Sequence, residues 1–229
     1  MGKKKSSSKL WLREHKLDPY VLAAKKDGYR SRASYKLIDL DSRYGFLCKG
    51  LRVLDLGCAP GGWSQVTISK IGPTGKLVAS DILPMLPIDG VTFIQGDFSD
   101  EIVMQSILKE FSCSQADVVM SDMAPNLSGV NAVDQPRSLY LAELAAEIAA
   151  NILTSGGIFI VKLFHGEGFD SFVRYCRQSF KSVNIRNRVM SHFTQDFRNP
   201  KDYRINLQVA RVDYEKTNSD FSAQLLESM

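Results

Sequence analysis

The sequence predicts an α/β protein built on a doubly wound, mostly parallel seven-stranded sheet with an antiparallel last strand and helices on both faces. Three observations predict it. From residue 51 short apolar runs alternate with amphipathic stretches, the last two runs follow each other with no helix between them, and a glycine-rich turn separates the first run from the next helix.

Taken in order, PYVLAAKK at residues 19–26 carries a helical pattern that stops at Gly28, and the pattern resumes near Ser34, where Tyr35, Leu37, Ile38 and Leu40 supply apolar surface. LRVLDL is the first strand, followed by a helix from Gly61. KLVASD and VTFIQ are the second and third strands, and a helix near residues 100–110 follows with Asp100 as its cap. ADVVMSD is the fourth strand. The helix after it is predicted from Asp134 to Leu153, with Asp134 as cap, Pro136 in the first turn, Leu141, Leu144, Ile148 and Ile152 on one face, and Ser155, Gly156 and Gly157 ending it. GGIFIVKLF gives the fifth strand and residues 170–180 a helix. SVNIRNRV and RINLQVARV then close the sheet as a hairpin, which separates this topology from a six-stranded dinucleotide fold.

A chain of 229 residues that is 44% hydrophobic can bury one core and is short for two. The expected organisation is a basic tail at 1–9, a single domain at 10–212 and a polar tail at 213–229. Cys48, Cys58, Cys113 and Cys176 form no C-x-x-C pair, so neither a disulfide framework nor a zinc site is expected. His15, His165 and His192 have no ligand spacing, and no metal is expected. No run approaches the ~20 apolar residues of a membrane span, and a cytoplasmic monomer is expected. Charge is lopsided: residues 1–36 carry a net +8 and the remainder a net −4. A basic arm on a mildly acidic body points to a polyanionic partner.

The most informative stretch is LRVLDLGCAPGGWSQ. Gly57, Gly61 and Gly62 let backbone approach a bound nucleoside closely, and the helix beyond offers free N–H groups to a carboxylate. The spacing is not G-x-G-x-x-G, which disfavours a dinucleotide. Asp81 ends the second strand 24 residues after Gly57, where a carboxylate can accept both hydroxyls of a ribose, and Asp97 follows the third strand, placed to accept from an adenine amino group. Both stand on the carboxyl edge of the sheet. Arg30, Arg32 and Lys36, interleaved with Trp11, Tyr20, Tyr29 and Tyr35, suit RNA recognised by phosphate contacts and stacking.

DLGCAPGGWSQ, with SDMAPN and FIVKLFHGEGFD further on, resembles the FtsJ/RrmJ family of bacterial ribosomal RNA 2′-O-methyltransferases over residues 10 to 180. The resemblance implies a class I, Rossmann-like methyltransferase using S-adenosylmethionine, with Gly61, Trp63, Asp81, Asp97 and Asp122 lining the cofactor pocket. It implies methylation of a uridine 2′-hydroxyl in the A-loop of large-subunit rRNA, on the assembled subunit. It also implies a lysine, aspartate, lysine, glutamate tetrad, of which Lys36, Asp122 and Lys162 are present in matching contexts. Where the family has glutamate this sequence reads RNPKDYRINLQV, leaving Asp202 as the nearest candidate and Asp196 as a poorer one. A shorter carboxylate there can fall about 1 Å short of its partner. DMAPN offers no aromatic residue to grip a flipped base, which argues for sugar rather than base amino-group chemistry. Two rivals stay open: a non-catalytic ribosome-assembly factor that keeps the cofactor fold, and a cap ribose methyltransferase, for whose methylguanine pocket the chain shows no inserted region.

Overall fold

Two helices precede the sheet in the computed structural model, which describes residues 18–111, 115–125, 128–164, 166–188 and 205–212. Helix α1 (Pro19–Lys26) starts where Asp18 accepts the Tyr20 N–H at 2.8 Å, and α2 is Ser34–Tyr44. Then come β1 (Arg52–Leu56), α3 (Gly62–Ile71), β2 (Lys76–Asp81), β3 (Val91–Gln95), α4 (Glu101–Glu110), β4 (Ala116–Ser121), α5 (Asn131–Ile152), β5 (Leu153–Phe164), α6 (Phe169–Ser179), β6 (Phe180–Arg188) and β7 (Ile205–Val212). The strands form one sheet in the order β3-β2-β1-β4-β5-β7-β6. The first five pair in parallel, and β7 runs antiparallel to both β5 and β6. This is the predicted Rossmann-like arrangement, closed by the predicted hairpin.

Alternation along the strands decides which face each side chain meets. Leu54 and Leu56 of β1, Val119 of β4 and Phe159, Val161 and Leu163 of β5 pack with Ile107, Ala145, Phe172 and Cys176 on the face covered by α4, α5 and α6. Val53, Val118, Met120, Ile158 and Ile160 pack on the other face with Leu37 and Leu40 of α2 and Trp63, Val66 and Ile71 of α3. Continuing that alternation by two residues carries Asp55, Asp122 and Lys162 onto the α2–α3 face. The amino ends of β1 and β4 are pinned by Arg52, whose N–H, Nε and Nη2 donate to the Asp117 carboxylate at 2.8, 3.0 and 2.7 Å.

Asp100 caps α4, accepting from the Ile102 N–H as expected. Helix α5 departs from expectation. It begins at Asn131, so Asp134 lies within its first turn and reaches back to the N–H groups of Ser128 and Gly129, while Pro136 falls in the second turn. Its most buried face is made of Ala142, Ala145, Ala146 and Ala149 with Ile148 and Ile152, whereas Leu144 packs only at the margin. The helix stops at Ile152 because residues 153–157 join β5, which is longer than the predicted GGIFIVKLF run. The predicted tails, together with Trp11, His15, Cys113, His165, His192, Asp196 and Asp202, lie outside the described residues. Among the described residues no helix is long and apolar enough to cross a membrane, no group of three or more His, Cys, Asp and Glu could hold a metal ion, and Cys48, Cys58 and Cys176 are free.

Candidate active site

The register of the parallel strands brings their carboxyl ends to one edge, with Leu56 beside Ser80 and Ser121, Asp81 beside Gln95, and Ser121 beside Val161. Asp122, one residue beyond β4, therefore sits next to Lys162, which is two residues short of the end of β5. The Lys162 ammonium lies 3.0 Å from Asp122 Oδ1 and also donates to the Asp122 backbone carbonyl. Lys36 Nζ approaches from α2, 3.3 and 3.4 Å from Oδ1 and Oδ2. Three of the four anticipated tetrad members thus come together, two lysines on one carboxylate.

Their electrostatics follow from burial and proximity. Lys162 has a side chain only 7% exposed. Desolvation pushes its ammonium below the usual lysine range, opposed by the Asp122 charge and assisted by Lys36. Burial alone would raise Asp122, but the charges of Lys162 and Lys36 and their hydrogen bonds hold it below the usual carboxylate range. A lysine more easily deprotonated than normal, steered by a firmly ionised carboxylate, is suited to taking or directing the proton of a weak nucleophile.

A cleft of about 440 Å³ opens beside this cluster, lined among others by Lys36, Asp122, Gly57, Gly62 and Trp63. Gly57 and Gly61 have φ of 71° and 105°, a conformation side-chain-bearing residues resist. The turn is also crowded: a Cβ on Gly57 would stand 2.1 Å from Met123 Cγ. Asp81 is 8% exposed and ties the turn to the next loop, accepting from the Ala59 N–H and the Leu83 N–H, each at 2.8 Å. Asp97 is exposed and accepts from the Ser99 N–H and hydroxyl at 2.9 and 2.7 Å. Trp63 stands in the core at 3% exposure, its Nε1 donating to the Ala33 carbonyl at 2.9 Å.

Sequence reasoning missed Asp55 as a site residue. It is 1% exposed, accepts from Ser64 Oγ at 2.6 Å, and is pushed up to about 7 by burial, against the Ser64 hydrogen bond and with help from Asp122 and Asp81. A carboxylate inside an apolar strand on the α3 side was the available signal. The basic residues chosen for RNA sit differently from one another. Arg32 is half exposed and pairs with Asp18, Lys36 faces Asp122, and the Arg30 guanidinium lies on the carbonyls of Pro60, Leu86 and Pro87.

These residues fit S-adenosylmethionine. Asp55, Asp81 and Asp122 surround the turn with carboxyl groups suited to a sulfonium cation, Asp81 keeps lone pairs for ribose hydroxyls, and the start of α3 presents N–H groups to a carboxylate. Fold and site together define a Rossmann-like methyltransferase that uses this cofactor.

Comparison with known proteins narrows the class. A model of the FtsJ-like methyltransferase family matches residues 29–193, and the chain belongs to that family. A Pseudomonas aeruginosa protein described as "Ribosomal RNA large subunit methyltransferase E" is 51% identical over 191 residues, covering 83% of this chain and 92% of the relative. A Marinobacter nauticus protein of the same description is 53% identical over 186 residues, covering 81% and 89%. A solved structure described as a ribosomal RNA methyltransferase of Plasmodium falciparum is similar with a TM-score of 0.68 and 29% identity, covering 81% of this chain and 98% of that one.

Proposed function

We propose that this protein methylates the ribose 2′-hydroxyl of a uridine in the A-loop of large-subunit ribosomal RNA, acting as a cytoplasmic monomer on the assembled subunit. The observation that carries this reading is the convergence of Lys36 and Lys162 on Asp122 at the mouth of the glycine-turn cleft. The description shared by the P. aeruginosa and M. nauticus relatives supports the rRNA substrate, and the family resemblance of the quoted motifs supports the uridine 2′-oxygen and the A-loop.

A ribose hydroxyl attacks poorly at neutral pH, so it must be aligned and relieved of its proton as the new bond forms. When bound, S-adenosylmethionine supplies an electrophilic methyl on a sulfonium. Lys162 Nζ, with its lowered proton affinity, takes or steers the hydroxyl proton. Asp122 orients that amine and stabilises positive charge beside it. Lys36 Nζ positions the hydroxyl and its neighbouring phosphate, and Arg32 and Lys36 form part of the RNA-facing surface. Asp202 is the proposed fourth member, turning Lys36 or Lys162 toward the hydroxyl. Gly57, Gly61, Gly62, Trp63, Asp81 and Asp97 hold the cofactor.

The test is transfer of a labelled methyl group to undermethylated large subunits. Lys162→Ala is expected to lower the rate by about 10²–10⁴-fold while cofactor binding, measured by calorimetry, is retained. Wild-type protein that binds both subunit and cofactor yet transfers nothing would instead mark an assembly factor.

A further inference from the structure

Arg30 lies in the segment whose charge suggests RNA, yet its guanidinium bridges two loops of the cofactor site. Nη1 donates to the Leu86 carbonyl at 2.5 Å and to the Pro60 carbonyl at 3.4 Å, and Nη2 donates to the Pro87 carbonyl at 2.6 Å. Pro60 belongs to the glycine turn. Leu86 and Pro87 belong to the loop that leaves β2 just past Asp81. The stem of Arg30 also covers the turn: a Cβ on Gly61 would meet Arg30 Cδ at 3.2 Å, beside Met85 Sδ and Ile88 Cδ1 at 2.9 Å.

The backbone around Arg30 is fixed to the same region. The Arg30 N–H donates to Gln65 Oε1 at 3.0 Å, and Gln65 Nε2 donates to the Gly28 carbonyl at 2.8 Å. Ser34 Oγ donates to the Gly62 carbonyl at 3.0 Å, and Trp63 Nε1 to the Ala33 carbonyl. Residues 28–36 are therefore stitched to the glycine turn and α3 at several points, and Lys36 hangs from the end of this stitched segment.

We propose that Arg30 is a positioning residue of the cofactor site, clasping the β2–β3 loop to the glycine turn and so fixing the rim onto which Asp81 opens, rather than a ligand of RNA phosphate. A planar guanidinium can hold consecutive carbonyls with two nitrogens at once, which an ammonium point charge cannot reproduce. Reaching out to a phosphate would require Arg30 to release carbonyls from both loops. Arg32, which is exposed and lines the same cleft, gives its guanidinium to Asp18 instead. Neighbouring arginines thus differ in their partners, one tying loop carbonyls together and the other pairing with a carboxylate.

The experiment compares Arg30→Lys and Arg30→Ala with wild type by calorimetry of S-adenosylmethionine binding to the free protein, and by large-subunit binding across a salt series. Arg30→Lys keeps the charge and guards against an Arg30→Ala variant that does not fold. Arg30→Lys should weaken cofactor binding several-fold and Arg30→Ala about tenfold or more, with the kinetic loss falling on the cofactor KM more than on kcat and the salt dependence of subunit binding retained. Increased amide exchange across residues 83–88 should accompany it. The proposal is overturned if cofactor affinity is unchanged in both variants, or if Arg30→Ala flattens the salt slope by about 0.7–0.9 while cofactor affinity stays intact. The cofactor arm needs no RNA, so its outcome is distinguishable from failure of the proposed rRNA substrate.

Discussion

Asp55 and Asp122 stand at the carboxyl ends of adjacent parallel strands, on the same face of the sheet, and their proton affinities move in opposite directions. Asp55 has a serine hydroxyl as its hydrogen-bond partner and is pushed up to about 7. Asp122 has two ammonium groups within 3.4 Å and is held low. Burial penalises both charges, and the partners decide the outcome. The cluster thus holds one carboxylate below the usual range beside the lysines and another pushed up toward neutrality on the neighbouring strand.

The same substitution at the two positions should break the comparison most sharply. Asp122→Asn leaves two cations facing a neutral amide, and methyl transfer should fall by about 10²–10⁴-fold. Residual activity should reach its plateau at lower pH than in wild type, because losing the Asp122 charge lowers Lys162 further. Folding stability should drop by about 3 kcal/mol at neutral pH. The depressed carboxylate stabilises the fold above its unfolded-state range, and that contribution disappears as pH falls through the folded value. An unchanged pH profile in Asp122→Asn would break the assignment of Lys162 as the titrating group.

Asp55→Asn should act in the other direction. Between its ordinary value of 3.8 and its folded value of about 7 the native state holds a proton that the unfolded chain has lost, so wild-type stability declines as pH rises through that window. The variant should lack this decline and gain up to about 4 kcal/mol over wild type at pH 8, as read by urea denaturation at a series of pH values. Cofactor binding near neutral pH should release a fraction of a proton in wild type and less in the variant, measured by calorimetry in buffers of different ionisation enthalpy. Equal stabilities at pH 5 and pH 8 in wild type would remove Asp55 from the contrast. The smallest effect is expected at Trp63→Phe, which loses the hydrogen bond to Ala33 for about 1 kcal/mol of stability and raises the cofactor KM modestly.

Much of this was legible in the sequence because it rests on local pattern. Strand alternation gave the sheet, and the motifs around Asp122 and Lys162 placed them on strands whose register brings them together. Lys36 depended on the family resemblance, since its helix otherwise reads as a solvated basic segment. Arg30 was misleading for a physical reason: the carbonyls that receive its guanidinium belong to loops 30 to 57 residues further along, and backbone acceptors leave no mark in residue identity. The alanine face of α5 is not marked by leucine spacing, because small residues are what let a helix lie close against a sheet. Asp202 falls outside the described residues, so the fourth tetrad member rests on sequence alone.

The clamp of Arg52 on Asp117 lies at the opposite end of the strands from all of this chemistry, and it governs it nonetheless. Each residue of a strand advances about 3.3 Å, so a single-step slip of β4 along β1 would carry Asp122 away from the glycine turn by as much as its whole separation from Lys36. A partly buried arginine far from the lysine cluster therefore acts as the zero mark of a ruler whose far end is Asp122.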